Sequence, residues 1–182
     1  MKQKRLSTKK IAFLGLMLAL ILVLVWFERM LPPLPVLPPN MKLGISNVIV
    51  MFSLFFVGKR EGFMLVGLKA LFNVLLRGPI AGLLSLSGGL LSACVIVLII
   101  WIFKEKASYV VIAIAGAIAH NAGQLLAFCA IMRQFRIFIF YSPVLLVSGV
   151  ALGTLTGIML KLVLPALQKA HMHFDGAAGR DA

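Results

Sequence analysis

The sequence predicts an all-α integral membrane protein, a bundle of six transmembrane helices with both termini in the cytoplasm. Three observations carry that prediction. Hydrophobic residues fill 62% of the 182 positions and charged residues only 13%, too few charges to cover a soluble domain of this size. The apolar residues fall in long runs of roughly the 20 residues that a bilayer span requires. Lysine and arginine gather at the ends of those runs, mostly on one side of the predicted membrane.

The elements follow in order. Residues 1–10 form a basic cytoplasmic N-terminus. The run at 11–27 resembles the core of a signal peptide, but Glu28-Arg29-Met30 and a proline cluster follow it instead of a small-residue cleavage site, so it is read as a retained first helix. Residues 31–39 (LPPLPVLPP) cannot be regular helix. Proline lacks an amide donor and biases its predecessor away from the α region, and this segment becomes an extracellular connector. The second span covers 43–58 and stops at Lys59-Arg60-Glu61. The third covers 62–76 and stops at Arg77-Gly78-Pro79. The fourth, 80–103, contains Gly88-Gly89 and stops at Lys104-Glu105-Lys106. The fifth covers 108–132, Arg133 and Arg136 bracket a short turn, and the sixth covers 137–164. Residues 11–164 thus make up the transmembrane domain, and the polar residues 165–182 a loose cytoplasmic tail.

With the N-terminus inside, twelve of the 18 Lys and Arg residues lie on the inner side and five on the outer, with Lys69 within a span. The formal charge of +13 then reads as attraction to anionic lipid headgroups rather than to nucleic acid. Cys94 and Cys129 lie inside apolar runs and read as small packing residues.

Small residues mark where helices approach closely in lipid. Gly149, Gly153 and Gly157 recur every four residues in the sixth span, and Ala115, Ala119 and Gly123 in the fifth; both sets read as packing within the bundle. Ala12, Gly15 and Ala19 form a stripe on the first, which serves either internal packing or a contact with a partner protein.

Orientation assigns each polar residue a depth. Ser46 and Asn47 fall near the outer end of the second span. Lys69, Asn73 and Arg77 are spaced i, i+4, i+8 on one face of the third, rising from the middle to the outer rim. Ser85 and Ser87 fall in the outer half of the fourth, and His120, Asn121 and Gln124 from the middle of the fifth outward. The inner half is mostly Leu, Ile, Val, Phe and Met. Polar groups at membrane depth are expensive unless they face the bundle interior or a wet cavity, so this segregation predicts a pocket open to the outside above an apolar plug. Each residue keeps a second reading. Lys69 either meets a ligand or snorkels to an interface, and His120 either lines the pocket or is a packed core histidine. Asn47 and Asn73 are either pocket groups or interhelical glue. Arg77 is a ligand group or an interface anchor, and Ser85 and Ser87 either face the pocket or bond back to their own helix.

Lys69 and Arg77, joined by Lys42 or Arg133, give the predicted pocket a positive sign. Glu28 is the only acid expected on the outer side, and no carboxylate is expected at depth. This favours an anionic or carbonyl-rich ligand. No GxxxxGK[ST] loop is present, and the only aspartates are Asp175 and Asp181 in the tail. Nucleotide hydrolysis by a P-loop and Mg²⁺-dependent diphosphate chemistry therefore lack their ligands. No catalytic residue, metal or cofactor is expected, and energy for any transport would come from a partner.

Three segments carry a family resemblance: Lys42-Leu43-Gly44-Ile45-Ser46-Asn47 after the proline-rich loop, Leu86-Ser87-Gly88-Gly89-Leu90, and His120-Asn121-Ala122-Gly123-Gln124. Over residues 11–164 the chain resembles the Gx transporter family of small bacterial membrane proteins, also labelled heptaprenyl diphosphate synthase component I. That family is similar to the substrate-binding S components of energy-coupling factor (ECF) transporters. The resemblance implies six helices, an outward ligand pocket, and a bacterial cytoplasmic-membrane location. It also implies uptake of a vitamin or cofactor precursor, powered by two ABC ATPases on a transmembrane coupling subunit. It makes Ala12, Gly15 and Ala19 the stripe that meets that subunit. The alternative is a non-catalytic membrane accessory of prenyl diphosphate or quinone biosynthesis.

Overall fold

The computed structural model describes residues 8–30, 45–103 and 107–176, and every element among them is helical. Helix α1 runs Thr8–Met30, α2 runs Asn47–Phe52 and continues as a π-helical turn Ser53–Val57, and α3 runs Lys59–Arg77. Helix α4 runs Pro79–Phe103, α5 Tyr109–Met132 and α6 Arg136–Gly176. Four stretches, Lys10–Glu28, Pro79–Phe103, Tyr109–Met132 and Arg136–Met172, are long and apolar enough to cross a membrane. The protein is a multi-pass membrane protein.

The other two helices differ from ordinary spans for reasons visible in their residues. The helix Asn47–Val57 has 11 residues, about 16 Å at 1.5 Å per residue, or half a bilayer. Val48, Ile49, Val50, Met51 and Phe52 are all buried, so the described part of this span lies inside the bundle. The beginning of the expected second span, and the proline-rich connector before it, lie outside the described residues. The π turn closes with Gly58 N–H donating to Ser53 O at 2.9 Å. Gly58 then takes φ 155°, where a side chain would run into the Glu61 carboxylate; glycine lets the chain reverse directly into α3. Gly78, at φ 88°, does the same between α3 and α4.

Helix α5 packs most extensively on α6 and α4, and α4 on α3, while α1 contacts its neighbours more lightly. Glycines set the close pairs. A Cβ on Gly157 would lie 2.7 Å from Val110 Cα, and one on Gly149 3.1 Å from Ile118 Cα. Gly123 faces Gly88 across α4 and α5, where an added Cβ would stand 2.9 Å from Gly88 Cα.

Residues 165–176 depart from the expected loose tail. Helix α6 continues through Pro165 to Gly176. Proline removes one backbone bond at a cost of about 3 kcal/mol, but the apolar stripe runs on past it. Leu160 and Leu167 are buried, and Val163, Leu164 and Ala170 pack on the same core. His171 meets Phe13 of α1 edge to face, ring centroids 5.2 Å apart. Composition alone made this segment look polar; its spacing of 3, 4, 7 and 10 residues from Leu160 is helical.

The main core joins Phe13, Met17, Ile21 and Val25 of α1 to the α2 residues, Leu65 and Val66 of α3, Ala93 and Ile96 of α4, Ile112 and Ala113 of α5, and Leu160 of α6. Along each of α1, α3 and α5 the buried face then turns polar: Glu28 follows Val25, Lys69 follows Leu65 and Val66, and His120 follows Ile112 and Ala113.

Candidate ligand site

The polar ends of these faces meet. A cavity is lined by Glu28 of α1, Lys69, Asn73 and Arg77 of α3, Ser85 of α4, and His120 and Gln124 of α5, with Val25, Ala81 and Leu84 as apolar wall. Its volume is about 20 Å³, room for about one water molecule. A larger molecule enters only if these side chains move apart.

Lys69 Nζ donates to Asn47 Oδ1 at 2.6 Å, which ties α3 to the start of α2. Asn73 Nδ2 donates to Lys69 O at 3.1 Å and to Ser85 Oγ at 3.0 Å. Gln124 Nε2 and His120 Nε2 lie 2.5 Å apart. With the amide nitrogen donating, His120 accepts at Nε2 and carries its proton on Nδ1. Glu28 Oε1 accepts from Ser46 N–H at 2.9 Å. Asn73 Oδ1 and His120 Nδ1 are buried without a hydrogen-bond partner, although both residues line the cavity. Buried polar atoms are nearly always paired; the Ser46 and Ser53 hydroxyls, outside the cavity wall, share this state.

Six of the ten sequence-predicted residues, Lys69, Asn73, Arg77, Ser85, His120 and Gln124, therefore converge on one cavity. Asn47 supports it through Lys69. Ser46 contributes its backbone N–H to Glu28, while its hydroxyl is buried without a partner. Two residues go elsewhere. Ser87 donates back to Leu84 O at 3.0 Å. Asn121 reaches α6, donating to Leu145 O at 3.4 Å and Ser148 Oγ at 3.3 Å. The helical step explains Asn121: it lies about 100° around the helix from His120 and faces the next neighbour. Arg133 is the exposed left-handed cap of α5, at φ 53°, and Lys42 lies outside the described residues.

Glu28 corrects the expectation of no carboxylate at depth. It is buried and lines the same cavity as Lys69 and Arg77. The signal was in the sequence: Phe13, Met17, Ile21, Val25 and Glu28 step by four, four, four and three residues, so Glu28 continues the inward face of α1.

At the other end of α1, Lys10 Nζ pairs with Glu61 Oε1 at 2.5 Å. Burial pushes the Glu61 carboxyl up, but hydrogen bonds from Lys10 and the backbone, with the charges of Lys10 and Arg60, outweigh it and hold the group below its ordinary value. Beside this pair the small stripe faces outward. Ala12, Gly15 and Ala19 are exposed, and a Cβ on Gly15 would meet nothing within 4 Å. Gly15 borders an apolar groove of about 230 Å³ between α1 and α3, with Ile11, Leu14, Leu18, Met64, Leu65 and Leu68.

The chain is similar in fold to the protein solved as the S component of a bacterial ECF transporter, with a TM-score of 0.64 and 18% identity over 87% of this chain and 95% of that one. Residues 17–163 match the family described as heptaprenyl diphosphate synthase component I, and the chain belongs to that family. No curated protein matches it.

Proposed function

We propose that the chain is the substrate-binding S component of an ECF-type importer. On this reading it crosses the bacterial cytoplasmic membrane six times with both termini inside and captures a small anionic vitamin or cofactor precursor from outside. Its partners are a transmembrane coupling subunit and two ABC ATPases; it is not itself an enzyme. The observation that carries the reading is the cavity, where Lys69 and Arg77 outnumber the single carboxylate of Glu28 at the polar end of a bundle with the S-component fold. The outward stripe Ala12, Gly15 and Ala19 supports it. Small residues that pack nothing inside the chain leave a surface on which another membrane helix can approach closely.

Affinity purification from native membranes, with mass spectrometry of the captured proteins, tests the proposal. A coupling subunit with two ATPases is expected, and bulky substitutions along the stripe should remove them. The family's description favours a second reading, a non-catalytic accessory of prenyl diphosphate or quinone biosynthesis. Capture of a prenyltransferase without ATPases, insensitive to the stripe, would establish that reading instead.

A further inference from the structure

The charge pattern of the cavity narrows the kind of molecule it takes, on the reading that the cavity is the ligand site. A site for a simple anion needs cations and neutral donors only. This one sets a buried carboxylate, Glu28, in the same wall as Lys69 and Arg77. A carboxylate removed from water is costly unless it is paired or hydrogen-bonded, and it would repel an incoming acid that offered it nothing. Its bond from Ser46 N–H does not require a charge, because an amide oxygen would accept the same hydrogen. A second acceptor stands in the cavity: Asn73 Oδ1, in a side chain 4% exposed, has no donor. The cavity thus offers two cationic groups and two acceptors, and its formal charge with Lys69, Arg77 and Glu28 ionised is +1.

We propose that the ligand is dipolar: an acid group, carboxylate or phosphate, that meets Lys69 and Arg77, joined to an amine or N–H-bearing ring that donates to Glu28 and Asn73 Oδ1. A net monoanion of this kind matches both the sign of the site and its unmatched acceptor. An acid without a donor end faces the Glu28 carboxylate and leaves Asn73 Oδ1 without a donor, and a plain amine faces two like charges.

Equilibrium dialysis of the purified full-length protein in detergent tests this with matched probes: p-aminobenzoate, benzoate and aniline, and γ-aminobutyrate, butyrate and butylamine. The expected result is that, in at least one triplet, the two-ended member is retained at least about tenfold more tightly than its one-ended partners, the size of one hydrogen bond to a charged group. Glu28→Gln should abolish the advantage of the two-ended member over the acid and keep the melting temperature, since the amide still accepts from Ser46. Lys69→Ala should lower both. Equal retention of acid and two-ended probe, or selectivity untouched by Glu28→Gln, overturns the inference while leaving the binding-subunit reading in place. Retention of no probe overturns the inference as well, and the capture of coupling partners then decides the binding-subunit reading separately.

Discussion

Replacing Gly153 by alanine should loosen the α5–α6 pair, and the structure sets the size of the effect. The new Cβ would press on Ile114 Cα and stand 2.9 Å from both Ala113 O and Ile114 N. These are backbone atoms of α5, which cannot rotate aside as a side-chain end would. The helices must separate, and a gap of about 0.5–1 Å forfeits a quarter to a half of the dispersion energy along the contact. Overpacking of this kind costs about 1–3 kcal/mol. Alanine regains about 1 kcal/mol of helix propensity, but separation along the bundle's most extensive contact outweighs it. A net loss of up to about 2 kcal/mol lowers the melting temperature by up to about 8 °C in a chain of this length. Thermal unfolding of the purified protein in detergent, followed by size-exclusion monodispersity, reads that shift. Gly15→Leu is the matched control. Nothing lies within 4 Å of its Cβ, so its melting temperature should stay at the wild-type value while capture of a coupling subunit is lost. A Gly153→Ala protein that melts at or above wild type would refute the claim that backbone contact limits this interface.

The other predictions concern the cavity and the inner end of α1. Lys69→Ala removes a cation and the 2.6 Å bond to Asn47; it should weaken ligand binding by about tenfold or more with a much smaller change in melting temperature, and unchanged affinity would remove the cation from the site. Gly88→Ala would put a Cβ 2.7 Å from both Gln124 Cγ and His120 O. It should cost about 1–3 kcal/mol and impair binding together with stability, measured by melting and dialysis on one preparation. Because the Glu61 carboxyl is held below its ordinary value of 4.5, its pairing with Lys10 contributes stability above that pH and loses it as the pH falls through the lower folded value. The melting temperature of the wild type should therefore fall more steeply than that of Glu61→Gln on acidification below about pH 4.5; parallel curves would show that the pair contributes nothing.

Much of this protein was legible before folding. Hydropathy and the scarcity of charge dictated a helical membrane protein, because only a backbone that satisfies its own hydrogen bonds crosses a bilayer. The spacing of Lys69, Asn73 and Arg77 placed three cavity residues on one face of α3, since helical period is a property of the chain alone. Glycines at four-residue steps in the sixth span announced a close contact, and the structure supplies the partner, α5. Other features depended on which helix stands beside which. Asn121 and Gln124 are equally polar in sequence, yet one bonds α6 and the other lines the cavity. That choice is made by the azimuth of α5 between its two neighbours. Helix α6 carries Pro165 because Leu167 and His171 find partners in the core and on α1, and packing offsets a local cost that composition alone counts in full. Glu28 makes the same point for function. Its position on the inward face of α1 is written in the sequence, but the joining of its carboxylate with Lys69 and Arg77 in one cavity is not. These residues stand about 40 and 50 positions apart in the chain, and only the docking of α1 against α3 brings them to one cavity.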